Sequence, residues 1–223
     1  MKGVALLSDK GGVGKSTLCH LLALGAAWRG VPAYLFHTDL REPMKVSGRP
    51  YSYVDARDPA RLTMVLESLM NNDGFCIIDG AGNRPDFDEW VGDAVDLVLI
   101  PVTADEEAVT LGKRTMARLE AAGVKHARYI LNMVSPNANE RKFDFEEFFC
   151  RLEHPKIAGQ IRRLSPVKRL RISEDSGKFQ TLPSLVNNLA RSLYTIVDDT
   201  LDALEEPVLP RSSHELEIPR FTR

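Results

Sequence analysis

Residues 8–17 read Ser8-Asp-Lys-Gly-Gly-Val-Gly-Lys-Ser-Thr17, ten positions that hold three glycines and two lysines. Upstream lies the apolar run Gly3-Val-Ala-Leu-Leu7, and downstream Leu18 to Trp28 places Leu and Ala at helical spacing before stopping at Gly30. Strand, glycine loop and helix in that order are the context a phosphate-binding loop requires. Gly11, Gly12 and Gly14 let the backbone curl, so that the N–H groups from Gly11 through Val13 and Gly14 face one anion. The helix that follows presents its positive end to the same point. Lys15 is then placed for the β- and γ-phosphates, the Ser16 hydroxyl for Mg²⁺ and Thr17 for the α-phosphate. One lysine suffices for that work, which leaves Lys10 without a task.

Outward from the loop, short apolar strands alternate with amphipathic helices. Ala33–Phe36 reads as a strand ending near Asp39, Pro59–Asn71 as a helix, and Phe75–Ile78 as a buried strand running into Asp79. Val95–Pro101 is a further strand, Glu106–Ala122 a helix closed by Gly123, and Ala127–Leu131 a strand that delivers Asn132 at its end. Asp144–Leu152 and Pro183–Leu204 read as later helices. This alternation predicts a single-domain α/β fold over residues 1–204, a mainly parallel twisted sheet with helices on both faces. The segment 205–223 carries three prolines and mixed charge and reads as a flexible tail.

Composition narrows the class. The chain has 223 residues, 43% hydrophobic and 27% charged, the balance of an ordinary globular domain. A formal net charge of −2 gives the whole molecule no attraction for nucleic acid or acidic lipid, so any such binding rests on a local patch. Cys19, Cys76 and Cys150 share no metal or redox spacing, and an odd count fits a reducing compartment. Neither a signal peptide nor an apolar run of the ~20 residues that cross a bilayer is legible, and a cytoplasmic protein is expected.

The segment Lys10-Gly-Gly-Val-Gly-Lys-Ser16 resembles the deviant phosphate loop of the ParA/MinD family of P-loop ATPases, in which an extra lysine precedes the glycines. Asp9 stands where the general pattern has its first glycine. The resemblance implies that Lys10 reaches across an ATP-sandwiching homodimer to the partner's phosphates. Phe75-Cys-Ile-Ile-Asp-Gly-Ala-Gly82 is similar to the second nucleotide motif, which makes Asp79 a Mg²⁺ ligand, usually through water, and Gly80 to Gly82 a mobile loop. Tyr129-Ile-Leu-Asn-Met133 resembles the strand whose asparagine reads adenine, a role that falls to Asn132. The weakest likeness is His37-Thr-Asp-Leu-Arg41, where the family often has Asp-x-Asp-Pro-Gln. Asp39 matches the aspartate that orients the attacking water and contacts Mg²⁺ through solvent. His37 and Arg41 depart from the pattern and put the hydrolysis rate in question; a histidine in such a place most often packs as a neutral side chain.

Such proteins position DNA or other cargo. Arg162, Arg163, Lys168, Arg169 and Arg171 fall within ten positions, a cluster suited to nonspecific DNA and, with it, to nucleoid association. A separate ParB-like or other adaptor would stimulate hydrolysis. Membrane positioning is disfavoured, because Asp198, Asp199 and Asp202 lie on the only candidate C-terminal helix and anionic lipid repels them. Two readings compete with a ParA-like partition or positioning ATPase: a ligase of the dethiobiotin-synthetase type, and a nucleotide-binding scaffold that barely hydrolyses.

Overall fold

The structure, a computed structural model, describes residues 1–44, 48–69, 72–82, 84–171 and 182–204. The tail 205–223 lies outside the described residues. The described residues form seven strands: β1 (Lys2–Leu6), β2 (Ala33–His37), β3 (Ser52–Asp55), β4 (Phe75–Asp79), β5 (Leu97–Val102), β6 (Ala127–Val134) and β7 (Ile157–Arg162). They form one sheet in the order β3-β2-β4-β1-β5-β6-β7, and every pairing is parallel. Parallel neighbours need crossovers; among the described residues five helices lie between strands, α1 (Lys15–Trp28), α2 (Pro59–Leu69), α3 (Pro85–Ala94), α4 (Glu106–Ala121) and α5 (Ala138–Glu147), and α6 (Ser184–Asp202) follows β7.

The strict alternation of side chains along a strand divides the core in two. Val4, Leu6, Ile77, Leu97 and Leu99 face α1 and α6; Ala5, Leu7, Ile78, Val98 and Ile100 face α3 and α4. Leu18, Leu21, Leu22 and Leu24 of α1 meet Val186, Leu189, Leu193 and Val197 of α6 on the first side. Lys2 pins the end of α6 through Asp198 at 2.6 Å and Asp202 at 2.9 Å. Two of the three acids that argued against a lipid-binding helix thus tie it to the start of β1, the central strand.

Five elements differ from the expected pattern. The helix expected over Asp144–Leu152 begins six residues earlier, at Ala138, because the Asn137 side chain accepts from the N–H groups of Asn139 and Glu140 and caps it there. Its C-terminal part is a separate turn of 3₁₀ helix at Phe149–Arg151. β3, β7 and α3 were not anticipated. β6 runs on past Leu131, so that Asn132 lies inside the strand and not at its end.

All strands point their C-terminal ends to one edge. The loop after β1, Asp39 after β2, Asp79 closing β4 and Thr103 after β5 therefore meet along a single line, where ligands bind in open parallel sheets.

Candidate functional site

The loop between β1 and α1 is tied down from both sides. Gly14 caps α1 in the left-handed region, with φ 95°. A β-carbon there would strike Nδ2 of Asn132. That amide, 5% exposed, donates to the Val13 carbonyl at 2.7 Å. The expected adenine reader is thus also a strut of the loop. Around Gly11 and Gly12 there is open space.

Lys15 lies along the loop and donates to the carbonyls of Ser8 at 3.1 Å and Lys10 at 3.2 Å. Burial lowers its pKa, and the carboxylates of Asp79 and Asp88 oppose that shift. Asp79 is 3% exposed at the end of β4. Its carboxylate touches the Cys19 thiol, which burial, with Asp79 adding to it, pushes up so that the sulfur stays neutral. Ser16 and Thr17 open α1 beside it. Hydroxyl and carboxylate oxygens are the donors a hard cation accepts, so Ser16 and Asp79 fit Mg²⁺ completed by water and phosphate oxygens.

Asp39 is joined to this group indirectly. The buried Thr38 hydroxyl donates to the Asp79 carbonyl at 2.7 Å, fastening the end of β2 to the end of β4. The carboxylate of Asp39 is occupied by Arg41, through Nη2 at 2.7 Å, Nε at 3.1 Å and the backbone N–H at 3.1 Å. Burial raises its pKa, but those hydrogen bonds outweigh burial and hold it below the usual carboxylate range. His37 is buried, contacts the Arg41 carbonyl at 3.0 Å and tilts against Tyr53, the packed arrangement anticipated for it.

Lys10 points away from its own loop. It pairs with Asp105 at 3.4 Å and with Glu107, both at the start of α4. Beside it opens a groove of ≈ 780 Å³ lined by Thr103, Met133, Ser135, Glu140, Phe143 and Arg163 among others. Met133 has φ 57°, a left-handed backbone rare for a side chain of this size, and it sits at a bulge in β6. α5 buries none of its residues, and Phe143 on it is 57% exposed. Sequence reading missed this groove, since its walls come from four separate segments.

The basic cluster divides. Arg162 ends β7, Arg163 follows it, and Lys168, Arg169 and Arg171 lie on a 3₁₀ turn. Arg162, Arg163, Lys168 and Arg169 are exposed. Arg163 faces Glu140 at 3.7 Å, a contact open to water and therefore weak.

One further acid sits close to the loop. Asp88 on α3 is 1% exposed, and its Oδ1 has no hydrogen-bond partner among the described residues. Burial pushes its carboxyl up to about 6, with Asp9 adding to the shift and Arg118 and Lys15 opposing it. The folded chain therefore favours the neutral acid. Stability from this group is full below the ordinary carboxylate value near 4, falls as pH rises to about 6, and stays reduced above. The loss is roughly 2–3 kcal/mol. Asp88→Asn is expected to raise the melting temperature at pH 8 by about 5 °C and to leave it unchanged at pH 4; calorimetry at the two pH values checks this.

The sheet order, the loop at its centre and the aspartate closing β4 define a P-loop NTPase α/β fold. Solved structures of the ParA/MinD type share it. A single-substitution variant of McdA from Cyanothece, in complex with ATP, aligns with TM-score 0.64 at 15% identity, covering 89% of this chain and 96% of that one. A plasmid partition protein from Borrelia burgdorferi bound to AMPPNP aligns with TM-score 0.61 at 16% identity, covering 91% and 99%. The cell division ATPase MinD from Pyrococcus furiosus aligns with TM-score 0.61 at 16% identity, covering 89% and 98%. No family model and no curated protein matches the sequence.

Proposed function

We propose that this chain is a ParA-like, Mg²⁺-dependent ATPase that pairs around ATP and positions DNA or another cargo. Its fold is shared by a McdA variant solved with ATP, a partition protein solved with AMPPNP and a cell division ATPase. The observation that carries the reading is the opposite disposition of the two lysines. Lys15 turns onto its own loop, whereas Lys10 turns outward to two exposed carboxylates. The two carboxylates are 45% and 70% exposed, and a triphosphate carries more charge than either, so a partner's nucleotide competes for Lys10.

The residues divide the work as follows. Backbone N–H groups of residues 11–14 and the Lys15 ammonium hold the phosphates, Thr17 the α-phosphate, and Asn132 the adenine. Ser16 and Asp79 would hold Mg²⁺, with Asp39 as an outer ligand, and the ion would supply charge neutralisation at the phosphates. Asp39 orients the attacking water once Arg41 releases it, and that release makes slow hydrolysis and stimulation by a ParB-like adaptor natural. Arg162, Arg163, Lys168, Arg169 and Arg171 supply the surface for nonspecific DNA, doubled on pairing.

Lys10→Ala is expected to remain monomeric with ATP in analytical ultracentrifugation and to lower ATP turnover about a hundredfold, the effect of losing one preorganised charge on the reacting phosphoryl group. A variant that pairs and hydrolyses like the parent overturns the proposal. A parent that stays monomeric and turns over ATP only with a small acid favours the ligase. A parent that pairs but releases no phosphate is the scaffold.

A further inference from the structure

Arg118 of α4 lies 109 positions from the phosphate loop in sequence and touches it directly. Its Nη2 donates to Oδ1 of Asp9 at 2.9 Å and lies 3.5 Å from Oδ2 of the buried Asp88. Its Nη1 donates to the Pro85 carbonyl at 3.1 Å and meets Glu89 at 3.4 Å. Three carboxylates thus surround one guanidinium, whose side chain is 18% exposed. Arg114 adds a distant contact to Asp9 at 3.9 Å from a side chain that is 75% exposed. The next turn of α4 contributes Thr115, whose hydroxyl accepts from the Asp9 N–H at 3.2 Å.

This arrangement has an electrostatic consequence. Asp9 directly precedes Lys10 at the mouth of the loop, and Asp88 lies close enough to Lys15 for each to shift the other's protonation. Two carboxylates beside a site for a polyanion repel it. At a separation of ~8 Å and an effective dielectric of about 20, each such charge changes affinity by about tenfold or more. Glycine at the loop's first position carries no such charge. An aspartate there needs a compensating cation, and among the described residues Arg118 is in contact with both acids.

Resting on the nucleotide-binding reading above, we propose that Arg118 is a positioning residue for the triphosphate: it neutralises Asp9 and Asp88, so that a phosphate loop opened by an acid still accepts an anion. Through Pro85 and Glu89 the same guanidinium also holds the head of α3, the segment next after the Asp79 loop.

The test is a double-substitution cycle read by titration of a fluorescent ATP analogue with Mg²⁺, at low and high salt. Arg118→Ala is expected to weaken binding at least about tenfold at low salt, with the defect shrinking in high salt as the repulsion is screened. Arg118→Lys keeps the charge and recovers part of the loss. Asp9→Asn placed in the Arg118→Ala background recovers most of it, because the charge that Arg118 answered is gone. Should Arg118→Ala fail to fold, Arg118→Gln with and without Asp9→Asn gives the same comparison. A parent that binds no analogue overturns the nucleotide reading and this inference with it. A parent that binds, with Arg118 variants that bind equally well or whose defect Asp9→Asn does not relieve, overturns the inference alone and assigns Arg118 to helix packing.

Discussion

Gly14→Ala is expected to weaken binding of an ATP analogue by about a thousandfold while the folded domain persists. Gly14 has φ 95°, where a side chain costs roughly 1–2 kcal/mol. The added methyl also occupies the place of Nδ2 of Asn132. Keeping the loop in its present curl therefore breaks the Asn132–Val13 hydrogen bond and strands buried polar groups, at a further 1–3 kcal/mol or so. The loop has an alternative, which is to open. Opening relieves both costs but turns the N–H groups of residues 11–14 away from their common focus, and that focus is the site. Each route ends in lost affinity of about 4 kcal/mol, or three powers of ten. The open surroundings of Gly11 and Gly12 exert no such constraint, so Gly11→Ala, which has neither a positive φ nor a neighbour to strike, should bind the analogue far better. Titration of the two variants, with circular dichroism to confirm their folds, checks the contrast. Equal binding by Gly14→Ala and the parent would remove the loop from the nucleotide reading.

The sequence made the centre of the molecule plain and its margins obscure. β1, β4 and β5 are buried on both faces and so are written as unbroken apolar runs, Leu97 to Ile100 being an example. The glycine loop is legible because its chemistry permits few residues at each place. β3 and β7 lie at the two edges of the sheet, where Ser52, Gly159 and Gln160 are permitted and the apolar signal fades. α5 has no buried face and hence no helical period to find; only Asn137, three residues ahead of Glu140, marks its start. α3 did carry a signal, with Pro85 in its first turn and Asp86 and Asp88 behind it. At the site, Lys15 follows the glycine loop and Asp79 closes its strand as read from the sequence, whereas Asn132 lies inside β6 instead of at its end, and the partners that set the behaviour of these residues were not legible. Arg118 with Asp9, Glu107 with Lys10 and Arg41 with Asp39 are ion pairs, and a charged side chain carries no mark of which opposite charge it will meet. The first two pairs join the loop to α4, across a distance in sequence that no local pattern spans.

Gly25→Ala is expected to destabilise the fold, although it replaces glycine by the best helix former. Gly25 lies in the middle of α1 against α6. A β-carbon there would overlap the Ala190 carbonyl oxygen, and would stand 2.8 Å from its carbon and 2.9 Å from Cβ of Tyr194. None of these atoms can swing aside, because two are backbone and the third is fixed to it. The helices must therefore separate, and α6 is held to the sheet by Val186, Leu189, Leu193 and Val197 as well as by Lys2. Greater helix propensity returns about 1 kcal/mol. Overpacking a rigid contact costs typically 1–3 kcal/mol and occasionally more, and a clash with backbone belongs at the upper end. The net expectation is a loss of about 2 kcal/mol, a fall of roughly 4–8 °C in melting temperature for a domain of this size. Gly30→Ala is the control: it lies just beyond the same helix with φ 76° and nothing near its β-carbon, so it bears backbone strain without a clash. It should cost about 1 kcal/mol. If thermal melts rank the two variants the other way, α1 and α6 are not in the close contact on which the α1 face of the core depends.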